Sequence, residues 1–275
     1  MCDNGMEVLP DQLCEMKALQ KLDISRNCLQ LLPEALGDML SLRVLHADDN
    51  KIEKLPVSFP QLPMLRTCTL RNNKLTWISN QIGNMNSVTE LVISGNPLRS
   101  PPLDIVEQGT FRILRYLRNT FSSESTNSLD LSALGLMVLP LMVCRQTALT
   151  ELKLYKNKIE DVPIKMKRLT NLTRLVLSAN NIATIPHILQ HLTGIRRLYM
   201  DDNQLTELSS TCFTLTRLSE LRVAHNKLPL IPNCIGKLQD LQLLDLSRNQ
   251  LTTLPSSLRK VSRAHLLTVA ALLCI

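Results

Sequence analysis

The chain has 275 residues, 44% of them hydrophobic and 20% charged, so it can bury a sizeable core and is neither disordered nor fibrous. Eight glycines against fourteen prolines argue against glycine-rich phosphate loops, and no apolar run reaches the roughly 18 residues of a membrane span. The net charge of +7 is uneven: residues 1–108 hold 10 Lys and Arg against 13 Asp and Glu, whereas residues 109–275 hold 21 against 11.

The first ten residues, MCDNGMEVLP, have neither a basic start nor an apolar stretch, so no secretory signal is read there. Asparagines then fall at 27, 50, 73 and 96, each 23 apart, and again at 157, 180, 203, 226 and 249. Around each runs the frame LxxLxLxxNxLxxLP. It reads Leu19, Leu22, Ile24, Asn27, Leu29, Leu32, Pro33 near the start and Leu241, Leu244, Leu246, Asn249, Leu251, Leu254, Pro255 near the end.

The alternation in LxLxx predicts a short half-buried strand in every repeat. One such strand cannot bury its face alone, so neighbours must stack into a parallel sheet over a continuous core. The asparagine amide both donates and accepts, which suits it to the backbone groups of adjacent turns. The Leu-Pro opens a return segment that is extended or briefly helical, because proline fixes φ and lacks a donor.

Between Asn96 and Asn157 the spacing is 61, so about 15 residues are inserted and one repeat carries Leu134 in place of asparagine. In that interval Leu103, Val106, Thr110, Leu114 and Leu117 share a helical face, with Asp104 near the start. Arg112, Arg115 and Arg118 form a basic stripe, expected to be solvated on a helix packed against the return side. The serine-rich residues 122–126 are expected to form a flexible loop.

Four segments follow: residues 1–103, a first repeat block starting mid-repeat; 104–126, a helical insertion and loop; 127–263, a second block; and 264–275, an apolar incomplete repeat. Neither end reads as a polar cap. Two explanations stay open: a truncated piece of a longer product, or ends covered by self-association.

This repeat resembles the leucine-rich repeats of the intracellular Ras group, the Shoc/Sur-like scaffold and the plant Ras-group-related proteins. The resemblance rests on the 23-residue length and the Leu-Pro after the asparagine. It implies an α/β leucine-rich-repeat solenoid, a horseshoe of about ten to eleven repeats with a parallel concave sheet and a helical interruption. It also implies a cytoplasmic protein-binding module or signalling scaffold, with a link to Ras-type signal transduction. The alternative is the recognition segment of a larger kinase, GTPase or immune receptor.

Function in such an array falls to the third, fifth, seventh and eighth positions of LxxLxLxx, which the core leaves free to vary. In four consecutive repeats these positions hold Lys153, Tyr155, Lys156, Arg174, Arg197, Tyr199 and Arg222. Tyrosine and arginine dominate interface energetics, so this cluster is the candidate partner-binding site. Against it, Glu151, Asp201, Asp202 and Glu220 could consume the cations in local pairs of little net value. A weaker polar patch is Asp23, His46, Asp48 and Asp49.

The expected partner is a protein on the concave face. Nucleic acid is not expected, for want of aromatics among the basic residues. Nor is a membrane partner. No catalytic, cofactor-binding or metal-binding residues are assigned, because no phosphate loop, nucleophile elbow or kinase signature occurs and the eight cysteines include no CxxC pair. His187 and His191 are four apart but read as solvated flanks of Leu189. Single, scattered thiols suit a reducing compartment.

Overall fold

A computed structural model describes residues 3–261 and 266–268. Among the described residues, the repeating leucines form eleven three-residue strands. Four of them, β1 (Lys21–Asp23), β2 (Val44–His46), β3 (Thr67–Thr69) and β4 (Glu90–Val92), form a parallel sheet in that order. The other seven form a second parallel sheet, again in sequence order: β5 (Ser128–Asp130), β6 (Glu151–Lys153), β7 (Arg174–Val176), β8 (Arg197–Tyr199), β9 (Glu220–Arg222), β10 (Leu243–Asp245) and β11 (Leu266–Thr268). Each residue pairs with the one 23 further on, as Lys21 with Val44 and Tyr199 with Arg222. The strands occupy the third to fifth positions of the frame, as expected. Their central residues, such as Leu22, Leu152 and Leu221, are buried, and their outer two face the open side.

The asparagines bind the turns together. Asn50 donates through Nδ2 to the carbonyls of Ile24 (3.0 Å), Ala47 (3.3 Å) and Asp48 (3.1 Å). Its Oδ1 accepts from the Leu29 N–H at 3.1 Å, one turn back. Asn73, Asn180, Asn203 and Asn226 repeat the pattern, and all are buried. Each amide thus satisfies backbone groups that neither turn could satisfy alone. At Leu134, in the first turn of the seven-stranded sheet, the pattern has no asparagine. A buried leucine takes the place.

The residue before each asparagine has a left-handed backbone. Arg26, Asp49, Asn72, Lys156, Ala179, Asp202, His225 and Arg248 all have φ between 51° and 57°, and Gly95 takes the same place at 73°. There the chain turns inward after the strand.

Beyond the Leu-Pro, the return segments are 3-10 turns. Pro33, Pro163 and Pro232 stand immediately before Glu34–Asp38, Ile164–Arg168 and Asn233–Lys237. Strands pack on strands and 3-10 turns pack on 3-10 turns, with the leucines between the two rows. Trp77 makes an isolated bridge to Ser100 and is about half exposed. Cys68, in a leucine position, is fully buried, and that burial pushes its thiol far up.

The interruption is helical, in two pieces: α1 (Leu103–Val106) and α2 (Thr110–Thr126). The expected face is only partly right. Leu114 and Leu117 are buried, joined by Ile113 and Tyr116, but Leu103 is 57% exposed and Ile105 is buried instead. Leu103 opens α1, ahead of the turn that faces the core. The Thr110 hydroxyl accepts from the Leu91 N–H at 2.9 Å and lies 3.3 Å from the Leu91 carbonyl, so α2 begins by sealing the edge of β4. Arg118 is not simply solvated: its Nε donates to the Gly83 carbonyl at 2.9 Å.

Residues 122–126 are helix, not loop. Buried Ser123 donates to Gln146 at 2.9 Å, and Asn127, at φ 53°, closes the helix with its N–H on the Ser123 carbonyl. An asparagine in the left-handed region is an established helix stop. Two compact units divide within α2, between Ser122 and Ser123. The expected apolar end at 264–275 lies outside the described residues, except for the backbone of β11.

Candidate functional site

The register of the seven-stranded sheet decides which candidates meet. Strands β6 to β9 lie side by side, so their outward positions form a grid. Glu151 collects three partners: the Ser128 hydroxyl at 2.6 Å, Lys153 at 3.3 Å and Arg174 at 3.0 Å. Burial alone would raise its carboxyl. The Ser128 and Lys153 hydrogen bonds and the charges of Lys153 and Arg174 outweigh burial and hold it below the usual range.

Tyr199 is the centre of the grid. Arg222 pairs with it from β9, and the Arg222 guanidinium lies 5.0 Å from the ring centroid. From β7, the Arg174 guanidinium lies 5.2 Å away. The tyrosine hydroxyl donates to Glu220, which also holds Arg197 at 3.1 Å. Cation–π contacts of this kind are worth about 0.5–2 kcal/mol each, so the ring is fixed by its neighbours before any partner arrives. Burial, then the Glu220 hydrogen bond, pushes the tyrosine pKa up. Glu220→Gln removes that charge and is expected to lower the Tyr199 pKa, as read by ultraviolet titration. An unchanged titration would disconnect the pair.

Both Arg174 and Arg222 have a buried Nε with no hydrogen-bond acceptor, and Arg222 has no carboxylate within 4.0 Å among the described residues. Five of the seven candidates therefore share one network: Lys153, Arg174, Arg197, Tyr199 and Arg222. Tyr155, 47% exposed, and Lys156, also exposed, stand just past β6 and make no side-chain bond to that network among the described residues. Of the acidic residues expected to balance the cluster, Glu151 and Glu220 do so. Asp202 lies instead 3.4 Å from His225, whose Nε2 is 2.7 Å from Arg248. Asp201 accepts from the Ala224 N–H at 3.0 Å and from Ser178 at 3.3 Å.

Ser128, His225 and Arg248 are the participants the sequence reading missed. The signal was the spacing: Asp202, His225 and Arg248 are 23 apart in one column, and Ser128 stands 23 before Glu151 in another. The polar patch of the first block is spent on local structure. Asp48 accepts from the Arg71 N–H at 2.7 Å, Asp49 from the Asn72 amide at 2.8 Å, and His46 meets Thr69 at 3.0 Å. His187 and His191 are exposed on one 3-10 turn, and no group of three or more potential ligands for a metal ion occurs among the described residues.

Family models for leucine-rich repeats match residues 147–205, 195–251 and 18–39. The fold is that of a leucine-rich-repeat solenoid. Among solved structures, this chain is similar to a leucine-rich-repeat protein of Leptospira interrogans, at 24% identity and a TM-score of 0.46, over 96% of this chain and 87% of that one. It is also similar to an internalin of Listeria monocytogenes, at 20% identity and a TM-score of 0.47, over 93% and 75%. A plant peptide hormone receptor in complex with RGF2 matches at 22% identity and a TM-score of 0.43; this chain spans 94% of itself but 37% of that receptor. No curated protein matches the sequence. Among the described residues, no helix is long and apolar enough to cross a membrane. Leucine-rich-repeat folds serve widely as protein-binding modules without chemistry of their own.

Proposed function

We propose that this chain is a protein-binding module and that the open face of β6 to β9 is where the partner docks. The observation that carries this is Tyr199, an aromatic ring held between two guanidiniums and a carboxylate on a rigid sheet. A preorganised aromatic and arginine surface gives up little side-chain freedom on binding, which favours affinity. The exposed Tyr155 and Lys156 extend that surface toward β6. The resemblance of the 23-residue repeat to Ras-group repeats supports a cytoplasmic scaffold in Ras-type signalling as the setting. Six free cysteines among the described residues, four of them buried, support the same reducing compartment.

The test is comparative capture from the source cells. Tyr155→Ala, Arg197→Ala and Tyr199→Ala combined should weaken binding by about 100-fold or more, since anchors of this kind each contribute about 2 kcal/mol. Circular dichroism should not change, because all three side chains point away from the core. Proteins retained by the wild type and lost with the triple variant are the expected result. An identical set on both would remove the open face as the binding surface.

A further inference from the structure

The basic excess of the second block does not sit on the face just described. Residues 127–261 contain seventeen Lys and Arg against ten Asp and Glu. On the open face, at the third, fifth, seventh and eighth frame positions, six of each sign cancel. The seven cations in excess all lie in the 3-10 turns of the opposite row, which hold no carboxylate. Arg145 is in Val143–Arg145; Lys165, Lys167 and Arg168 are in Ile164–Arg168. Lys237 closes Asn233–Lys237, and Arg259 and Lys260 close Ser256–Lys260. All seven are exposed, and none has a carboxylate within 4.0 Å among the described residues. The 3-10 turns of the first block show the reverse: Asp11, Glu15, Glu34 and Asp38, and no Lys or Arg.

From this we infer that the 3-10 row of the second block docks on an anionic lipid surface. Its six turns pack one on the next, which at strand spacing makes a row about 24 Å long. The cations stand in two single-sign groups, Arg145 to Arg168 and Lys237 to Lys260, separated by the turns His187–His191 and Ser210–Thr214, which hold no Lys or Arg, and clusters of this kind attract anionic headgroups at long range. Apolar side chains stand among the cations. Ile164 is 60% exposed within the most basic turn, and Leu141, at the same position one repeat earlier, is 51% exposed. Aliphatic tips among lysines are the composition of an interfacial lipid contact. A specific protein interface is poor in lysine and anchored by aromatics and arginine, which is the composition of the other face. Single-stranded nucleic acid needs stacking rings, and the one aromatic in these turns, Phe213, is buried. This runs against the expectation of no membrane partner, and the lack of a spanning helix among the described residues does not bear on a surface contact.

The experiment is co-sedimentation of the full chain with vesicles. Phosphatidylcholine containing about 30% phosphatidylserine should retain it at low salt and release it as salt rises, and phosphatidylcholine alone should not retain it. Lys165→Glu, Lys167→Glu and Arg168→Glu combined should cut the bound fraction at least tenfold, and Ile164→Ser should cut it about threefold with the charges intact. Thermal unfolding of both variants should match the wild type, since the changed side chains are exposed; the Lys→Gln series serves if it does not. The triple alanine variant of the open face should bind vesicles normally, so this surface and the partner-binding face succeed or fail separately. Three results would overturn the inference: no retention on the anionic vesicles; tighter salt-sensitive binding to duplex DNA than to vesicles; or self-association without lipid that the Glu variants abolish, which would pair this row with the acidic turns of a second copy.

Discussion

Gly83→Ala is expected to destabilise the first unit by about 3 kcal/mol, the upper range for forcing extra volume into a packed site. Gly83 lies in the 3-10 turn Asn80–Asn84, and the element packed on it is α2 rather than another 3-10 turn. An added Cβ would sit 2.1 Å from the Arg118 nitrogen and 2.6 Å from its Cα. Both are backbone atoms of a helix and cannot swing aside as a flexible side chain could. The methyl group would push α2 off the turn and break the Arg118 hydrogen bond to the Gly83 carbonyl. Trp77, the only tryptophan, lies in the same unit and reports the loss by fluorescence during urea unfolding. Gly194→Ala is the comparison: its nearest neighbours would be two carbonyl oxygens at 3.2 Å, so it should cost less than about 1 kcal/mol. Equal midpoints for the two variants would show that α2 does not depend on that close approach.

The second large effect is expected at the asparagines. Asn180→Ala removes an acceptor for the Ile159 N–H (3.1 Å) and a donor to the carbonyls of Leu154 and Leu177, both at 2.9 Å. These groups are buried, so no water replaces the amide. With about 1–3 kcal/mol for each buried group left unsatisfied, and incomplete additivity, the expected loss is about 4 kcal/mol. Asn249 makes the same bonds but is only partly buried, so Asn249→Ala should cost less than half as much. Urea midpoints of the two variants decide the matter. Equal losses would mean that burial does not set the strength of the asparagine contacts.

The fold could be read from the sequence because a repeat that recurs at one spacing imposes one register. The strands sit at the third to fifth frame positions, and the asparagines bond as their chemistry required. Residues 122–126 misled because serine and threonine suit loops in general; here buried Ser123 finds Gln146, and that contact lies 23 residues away. Leu103 misled because helical periodicity assumes one continuous helix, whereas the chain makes two. The grid around Tyr199 was legible as a list of residues but not as a set of bonds. Glu220 could have paired with Arg222 beside it in β9; it holds Arg197 and Tyr199 on β8 instead. Such choices turn on a few tenths of an ångström, which spacing alone does not encode. The charge asymmetry between the two rows was present in the composition, yet it emerges only once each cation is assigned to a strand or a 3-10 turn.

The mirror-handed residue before each asparagine has its own consequence. Glycine would sit there without strain, yet only Gly95 does, and the others hold arginine, aspartate, asparagine, lysine, alanine or histidine at a conformational cost of about 1 kcal/mol apiece. Asp202, His225 and Arg248 show that the occupants of this column can touch one another from turn to turn along one rim of the seven-stranded sheet. The column's letters can be rewritten without disturbing a single leucine beneath it.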